Sequence, residues 1–252
     1  MSCCPDNSEP ARAAAVYSSE LIKAGNTTIY RAGPRTARVG VLAFPDIFGL
    51  DSGRAKQDAD RLGELGYAVA FVDLTDGDYA YDGWDMAAWM KKQDFDSVLL
   101  PRIEDAFKHL KTEANVEKIA SYGYCWGAWV GARLSAVSGA MPIKGHVSFH
   151  PSWRVENMLY GEGSIEKLAE KVQVPQLLLS AGNEPESLKE GGSVQKILAD
   201  HAAAVSQLSR VVDFPNVNHG WVNRGDIEDA MVKENVDKAW QLARAFLNDV
   251  TV

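Results

Sequence analysis

A cysteine flanked at two residues' distance by glycines, Gly123-Tyr-Cys-Trp-Gly127, stands where a short apolar run (118–124) meets a segment of helical period (126–138). A thiol so placed is a candidate nucleophile. Small residues around it let the chain turn sharply from strand to helix, and the turn pushes the sulfur of Cys125 out at the carboxyl edge of a sheet. The positive end of the following helix favours thiolate over thiol. The backbone N–H of Trp126 would point at an oxyanion developing on an attacked carbonyl. Five residues alone fit a buried structural cysteine equally well, so the rest of the constellation has to decide.

A thiol nucleophile needs a base, and a base needs an orienting acid, in the chain order nucleophile, acid, histidine. Of the five histidines, His109 and His201 fall in helical segments and His146 inside a strand. His150, in Phe149-His-Pro-Ser152, ends a strand, where it could line a pocket. His219-Gly220 alone follows the last predicted strand and precedes the final helix. For the acid, the run 177–186 ends a strand in carboxylates. Glu184 lies two residues after Gly182, where the orienting acid belongs, and Glu186 is its near rival. Phe44-Pro-Asp-Ile-Phe-Gly49 follows the first core strand, so Ile47 can supply a second oxyanion N–H. Asp46 would face the elbow, unless it is a plain turn or cap residue.

The elements that must hold these residues alternate along the chain. Strands are predicted over 37–44, 67–74, 118–124, 143–149, 176–181 and 209–214. Helices are predicted over 52–65, over 85–113 in two pieces broken near Pro101, and over 126–138, 163–172, 192–207 and 227–249. Strands separated by helices imply parallel crossovers, hence an α/β fold with a mostly parallel central sheet and helices on both faces. Ligands in such sheets bind beyond the carboxyl ends of the strands, where the candidate residues lie.

Hydrophobic residues make up 46% of the 252 and charged residues 24%, the balance of a globular domain with one sizeable core. A net charge of −8 argues against nucleic acid and against an anionic membrane surface. No apolar run is long enough to span a bilayer. The first ten residues read as no secretory signal, and three cysteines make no disulfide framework. A reducing, cytoplasmic setting is the expectation. Residues 1–18 read as a flexible N-terminal segment and 19–252 as a single domain. Adjacent Cys3 and Cys4 could bind metal or be oxidised, but with no histidine nearby they cannot complete a zinc site. Neither a phosphate-cradling glycine loop nor a metal or organic cofactor is implied. Trp84, Trp89, Trp126 and Trp221 could wall an apolar pocket or be core.

With these places in hand, the sequence resembles the dienelactone hydrolases, particularly their fungal and other eukaryotic-type members. The likeness rests on Asp46-Ile-Phe-Gly49, the elbow Gly123-Tyr-Cys-Trp-Gly-Ala128, His150-Pro-Ser152, and His219-Gly220 followed by Arg224-Gly-Asp226, and covers about residues 20–250. It implies the α/β-hydrolase fold and a Cys125–His219–acid triad cleaving a small ester or lactone, in a monomer or homodimer. The resemblance further implies that the resting thiol turns toward an acidic residue at Asp46. Phe48, Tyr124, His150, Trp221 and Arg224 are the expected substrate contacts. The arginine that bacterial members carry after the strand here reading Phe71-Val-Asp-Leu74 is replaced by acidic residues, which leaves Arg224 to meet a substrate carboxylate. A ligand-binding protein without turnover is the competing class, and a peroxide-sensing Cys125 a third, lacking a resolving thiol unless the terminus folds back.

Overall fold

The computed structural model describes residues 3–14, 18–81, 83–112, 116–137 and 141–252. Eight strands form one sheet: β1 (Glu20–Ala24), β2 (Thr27–Ala32), β3 (Val39–Phe44), β4 (Ala68–Val72), β5 (Lys118–Tyr124), β6 (His146–Phe149), β7 (Gln176–Ala181) and β8 (Arg210–Phe214). Their order is β1-β2-β4-β3-β5-β6-β7-β8. β1 and β2 run antiparallel, and every pairing from β4 through β8 is parallel. β4, β6 and β7 are buried at every residue, and β3 and β5 at all but their first, as expected of strands covered on both faces.

The helices are α1 (Ala55–Glu64), α2 (Met86–Lys92), α3 (Leu100–Thr112), α4 (Trp126–Ala136), α5 (Val155–Tyr160), α6 (Ser164–Lys171), α7 (Ser193–Ala199), α8 (Ala203–Ser206), α9 (Trp221–Arg224) and α10 (Ala230–Thr251). Two hydrophobic clusters lie against the sheet. One contains Phe44, Cys125, Trp126 and Trp129, and the other Tyr124, Phe149, Trp221 and Phe246. Among the described residues no helix is long and apolar enough to cross a membrane.

The predicted strands all form, with the hairpin β1–β2 added. Its cue is Gly25-Asn26, a two-residue loop between short β segments, with Gly25 at φ +58°. Pro101 does not break the helical stretch. The break is a five-residue π turn at Phe95–Leu99, and Pro101 sits in the first turn of α3, where its missing N–H costs nothing. The helix expected over 192–207 is two, α7 and α8.

β3 is the pivot of the sheet. The chain passes from β3 to β4 on one side, then returns to place β5 on the other. The loops after β3 and β5 therefore diverge at the point where strand order reverses, the place where such sheets open a crevice.

Candidate active site

Cys125 sits between β5 and α4 with φ 55° and ψ −115°, a backbone conformation that non-glycine residues avoid. Close packing enforces it. A Cβ on Gly123 would lie 2.3 Å from the carbonyl group of Gly127, and one on Gly127 would lie 2.3 Å from the Pro45 carbonyl oxygen. The two glycines thus let α4 begin directly on the elbow and against the end of β3. The neighbouring strand end grips the elbow backbone. The Cys125 N–H donates to the Phe149 carbonyl at 3.1 Å, and the Cys125 carbonyl accepts from the Ser152 N–H at 3.0 Å. His150 between them has φ 38°. His150-Pro-Ser152 is therefore a clamp on the elbow.

His219 and Glu184 meet as the chain order requires. His219 Nδ1 lies 2.5 Å from Glu184 Oε1, and both side chains are wholly buried. Glu186 lies in a 3-10 turn with an exposed carboxylate, 2.7 Å from Lys189 Nζ, which settles the geometric choice for Glu184. A Cβ on Gly182 would lie 2.4 Å from the Pro215 carbonyl oxygen, so glycine there lets the loops after β7 and β8 touch. Asn183, which the sequence did not single out, accepts from the His219 N–H at 2.7 Å. His219 Nε2 has no hydrogen-bond partner among the described residues and is the ring nitrogen left for chemistry.

A second histidine packs against the imidazole. The His150 ring lies 4.8 Å from it, edge-on, and 5.4 Å from Trp221. Burial holds His150 neutral, well below its ordinary pKa, with the His219 charge next in importance. Tyr124 does not face the site. Its hydroxyl donates to Asp58 Oδ2 at 2.8 Å on the other side of the sheet. Trp221 packs on Phe214 in that same layer. Trp84, Trp89 and Trp126 do form a chain of ring contacts, with centroids 5.2 and 5.0 Å apart.

Asp46 and Arg224 are partners. The Arg224 Nη1 donates to Asp46 Oδ2, which also accepts from Ser52 Oγ and Asn223 Nδ2, each at 2.8 Å, while Oδ1 takes the Phe48 N–H at 3.0 Å. The guanidinium lies over the Phe48 ring, 5.1 Å from its centroid. A Cβ on Gly220 would lie 2.4 Å from Arg224 Nη2, so this glycine is what admits the guanidinium. Arg224 thus already has a carboxylate, and Asp46 fixes the loop that presents the Ile47 N–H.

The resting sulfur turns elsewhere than the resemblance implies. Cys125 Sγ lies 3.4 Å from Cys4 Sγ and 3.3 Å from Ser152 Oγ. Residues 3–14, expected as a flexible segment, cross the carboxyl edge as a strap. The Glu9 N–H donates to the His219 carbonyl at 2.7 Å, Asn183 Nδ2 to the Asp6 carbonyl at 2.9 Å, and Arg224 Nε to the Glu9 carbonyl at 3.1 Å. Under it Cys125 and His219 are both 0% exposed. Burial pushes the Cys125 thiol well above its ordinary pKa, the opposite direction from the one expected of a helix N-terminus. A cleft of about 790 Å³ runs between Pro5–Asn7 and Arg154, Met158 and Glu184.

Comparisons with known proteins bear on the family and the fold. The profile of the dienelactone hydrolase family matches residues 28–251. An AIM2 family protein of Schizosaccharomyces pombe is 26% identical over 269 residues, 99% of both chains. A second from that yeast is 29% identical over 143 residues, 52% of this chain and 58% of the relative. The hydrolase tropI of Talaromyces stipitatus is 24% identical over 88% of this chain and 86% of its own. Among solved structures, a dienelactone hydrolase-like protein of Klebsiella pneumoniae superposes with a TM-score of 0.64 at 17% identity, covering 93% of this chain and 99% of that one. A dienelactone hydrolase-like promiscuous phosphotriesterase from metagenomic libraries gives 0.63 at 20% identity, with 97% and 99% covered. This chain belongs to the dienelactone hydrolase family and is an α/β-hydrolase acting on ester bonds.

Proposed function

We propose that the chain hydrolyses a small ester or lactone through Cys125, His219 and Glu184. The observation that carries this reading is the buried pair His219–Glu184 at 2.5 Å, which leaves Nε2 without a partner and packs the imidazole against His150, the middle residue of the clamp on the strained cysteine elbow. The thiol rests neutral, so proton transfer to His219 Nε2 accompanies attack rather than precedes it. Glu184 fixes the ring orientation and offsets the charge the imidazole then gains. The Ile47 and Trp126 N–H groups receive the oxyanion. His219 next returns its proton to the leaving oxygen, and water, activated by the same nitrogen, releases the acid from Cys125.

Arg224 is neutralised by Asp46, which favours an uncharged acyl group over a carboxylate-bearing dienelactone. The strap, Cys4 with it, must lift from Cys125 before substrate reaches the sulfur. The test follows hydrolysis of activated esters, neutral lactones and a dienelactone by the wild-type, Cys125→Ala and His219→Ala proteins. Loss of turnover in both variants, with lactones and neutral esters preferred, is expected. A Cys125→Ala protein with wild-type rates would overturn the reading.

A further inference from the structure

We propose that Cys3, Cys4 and Cys125 form a binding site for one soft, thiophilic cation of the three-coordinate class represented by Cu(I). Two adjacent cysteines cannot complete a site by themselves. The fold adds the third thiol from 121 residues downstream.

The spacing suits a shared ion. Cys4 Sγ lies 3.4 Å from Cys125 Sγ and 3.6 Å from Cys3 Sγ, and the three sulfurs all fall within 4.8 Å of one another. Three thiolates around one cation, with metal–sulfur bonds of about 2.3 Å, stand about 4 Å apart. Placing an ion between them therefore changes each sulfur–sulfur separation by less than about 1 Å. A Cys4–Cys125 disulfide, at about 2.05 Å, needs the sulfurs to close by more than about 1 Å.

The donors select the ion. Thiolates prefer Cu(I) and its soft relatives over hard cations. Among the described residues, the oxygen that hydrogen-bonds Cys125 Sγ is the Ser152 hydroxyl at 3.3 Å, a poor fourth ligand for zinc. A further soft atom stands close, since Met86 Sδ accepts the Cys3 N–H at 3.2 Å. Ligation exchanges three S–H bonds for three S–metal bonds and releases three protons to solvent. Arg224 and Arg154 are the cationic groups whose fields act on these sulfurs, and they offset part of the charge formed.

A cation held there occupies the proposed nucleophile, so it also shuts the hydrolytic site. That consequence rests on the hydrolase reading, whereas cation uptake does not. The experiment titrates the reduced, full-length, metal-free protein with Cu(I) against a chromophoric Cu(I) chelator under anaerobic conditions. One equivalent per chain is expected. Cys3→Ser and Cys4→Ser should each weaken uptake at least about tenfold, with the thermal melt of the metal-free variants unchanged. Uptake unchanged by both substitutions would overturn the site. So would a reduced protein that takes no Cu(I) yet forms a Cys4–Cys125 disulfide with hydrogen peroxide. One equivalent bound through all three thiols with no inhibition upholds the site and removes Cys125 from the hydrolytic reading.

Discussion

The two halves of the site around Cys125 are held by different means. On the elbow side, backbone meets backbone. Gly123 and Gly127 admit carbonyl groups at distances no side chain tolerates, and the ends of β5 and β6 clamp the strained cysteine by two main-chain hydrogen bonds. On the strap side, residues 3–14 lie over the finished surface through a few separate hydrogen bonds and the sulfur contacts. A part enforced by sterics has one conformation. A part attached by a handful of bonds, each worth about 1 kcal/mol net, can detach without unfolding what lies beneath. A site that must both hold its nucleophile rigid and admit substrate needs one of each.

Gly127→Ala attacks the rigid half most directly. Its Cβ would lie 2.3 Å from the Pro45 carbonyl oxygen and 2.5 Å from that of Phe44, and neither backbone can retreat cheaply. We expect destabilisation of at least about 2 kcal/mol, read as a lower denaturant midpoint, with loss of ester hydrolysis. Wild-type stability in this variant would show that the elbow is not sterically enforced. Glu184→Gln keeps the packing but replaces the acceptor that fixes the His219 tautomer. A fall in kcat of about 10³–10⁴-fold is expected, with an unchanged thermal melt.

Removing residues 1–13 tests the other half. Alkylation of Cys125 by iodoacetamide should accelerate at least about tenfold, with the melting temperature nearly unchanged. An unchanged alkylation rate would mean that the strap is no cover.

The subtlest test concerns the buttress behind the elbow. Burial pushes the Asp58 carboxyl up to about 7, although Tyr124 and Arg54 work against the shift. Folded Asp58 therefore keeps its proton between about pH 4 and 7, while the unfolded chain has lost it. The unfolded state then binds fewer protons, so this group makes stability fall as pH rises through that window. Asp58→Asn should flatten this fall, narrowing its deficit or becoming the more stable protein toward pH 8. Parallel stability–pH curves for the two proteins would refute the assignment.

The same division decides what could be read from the amino-acid sequence. The elbow, the β3 loop and the His219 loop are short-range patterns whose glycines stand in the sequence beside the groups they free. Glu184 was separable from Glu186 only through Gly182 and the carbonyl it meets. The resemblance offers Tyr124 as a substrate contact, but successive side chains of a strand point to opposite faces, and Tyr124 follows that alternation to Asp58. The Arg224–Asp46 pair and the strap join residues 178 and 215 positions apart. No local spacing encodes such contacts, so Cys3 and Cys4 read as an idle end of the chain.

That separation also orders events during synthesis. The strap is made about two hundred residues ahead of its partners His219 and Arg224. It can dock only after β8 and the loop beyond it are in place. Until then Cys125 stands on an open sheet edge, uncovered in the newborn chain.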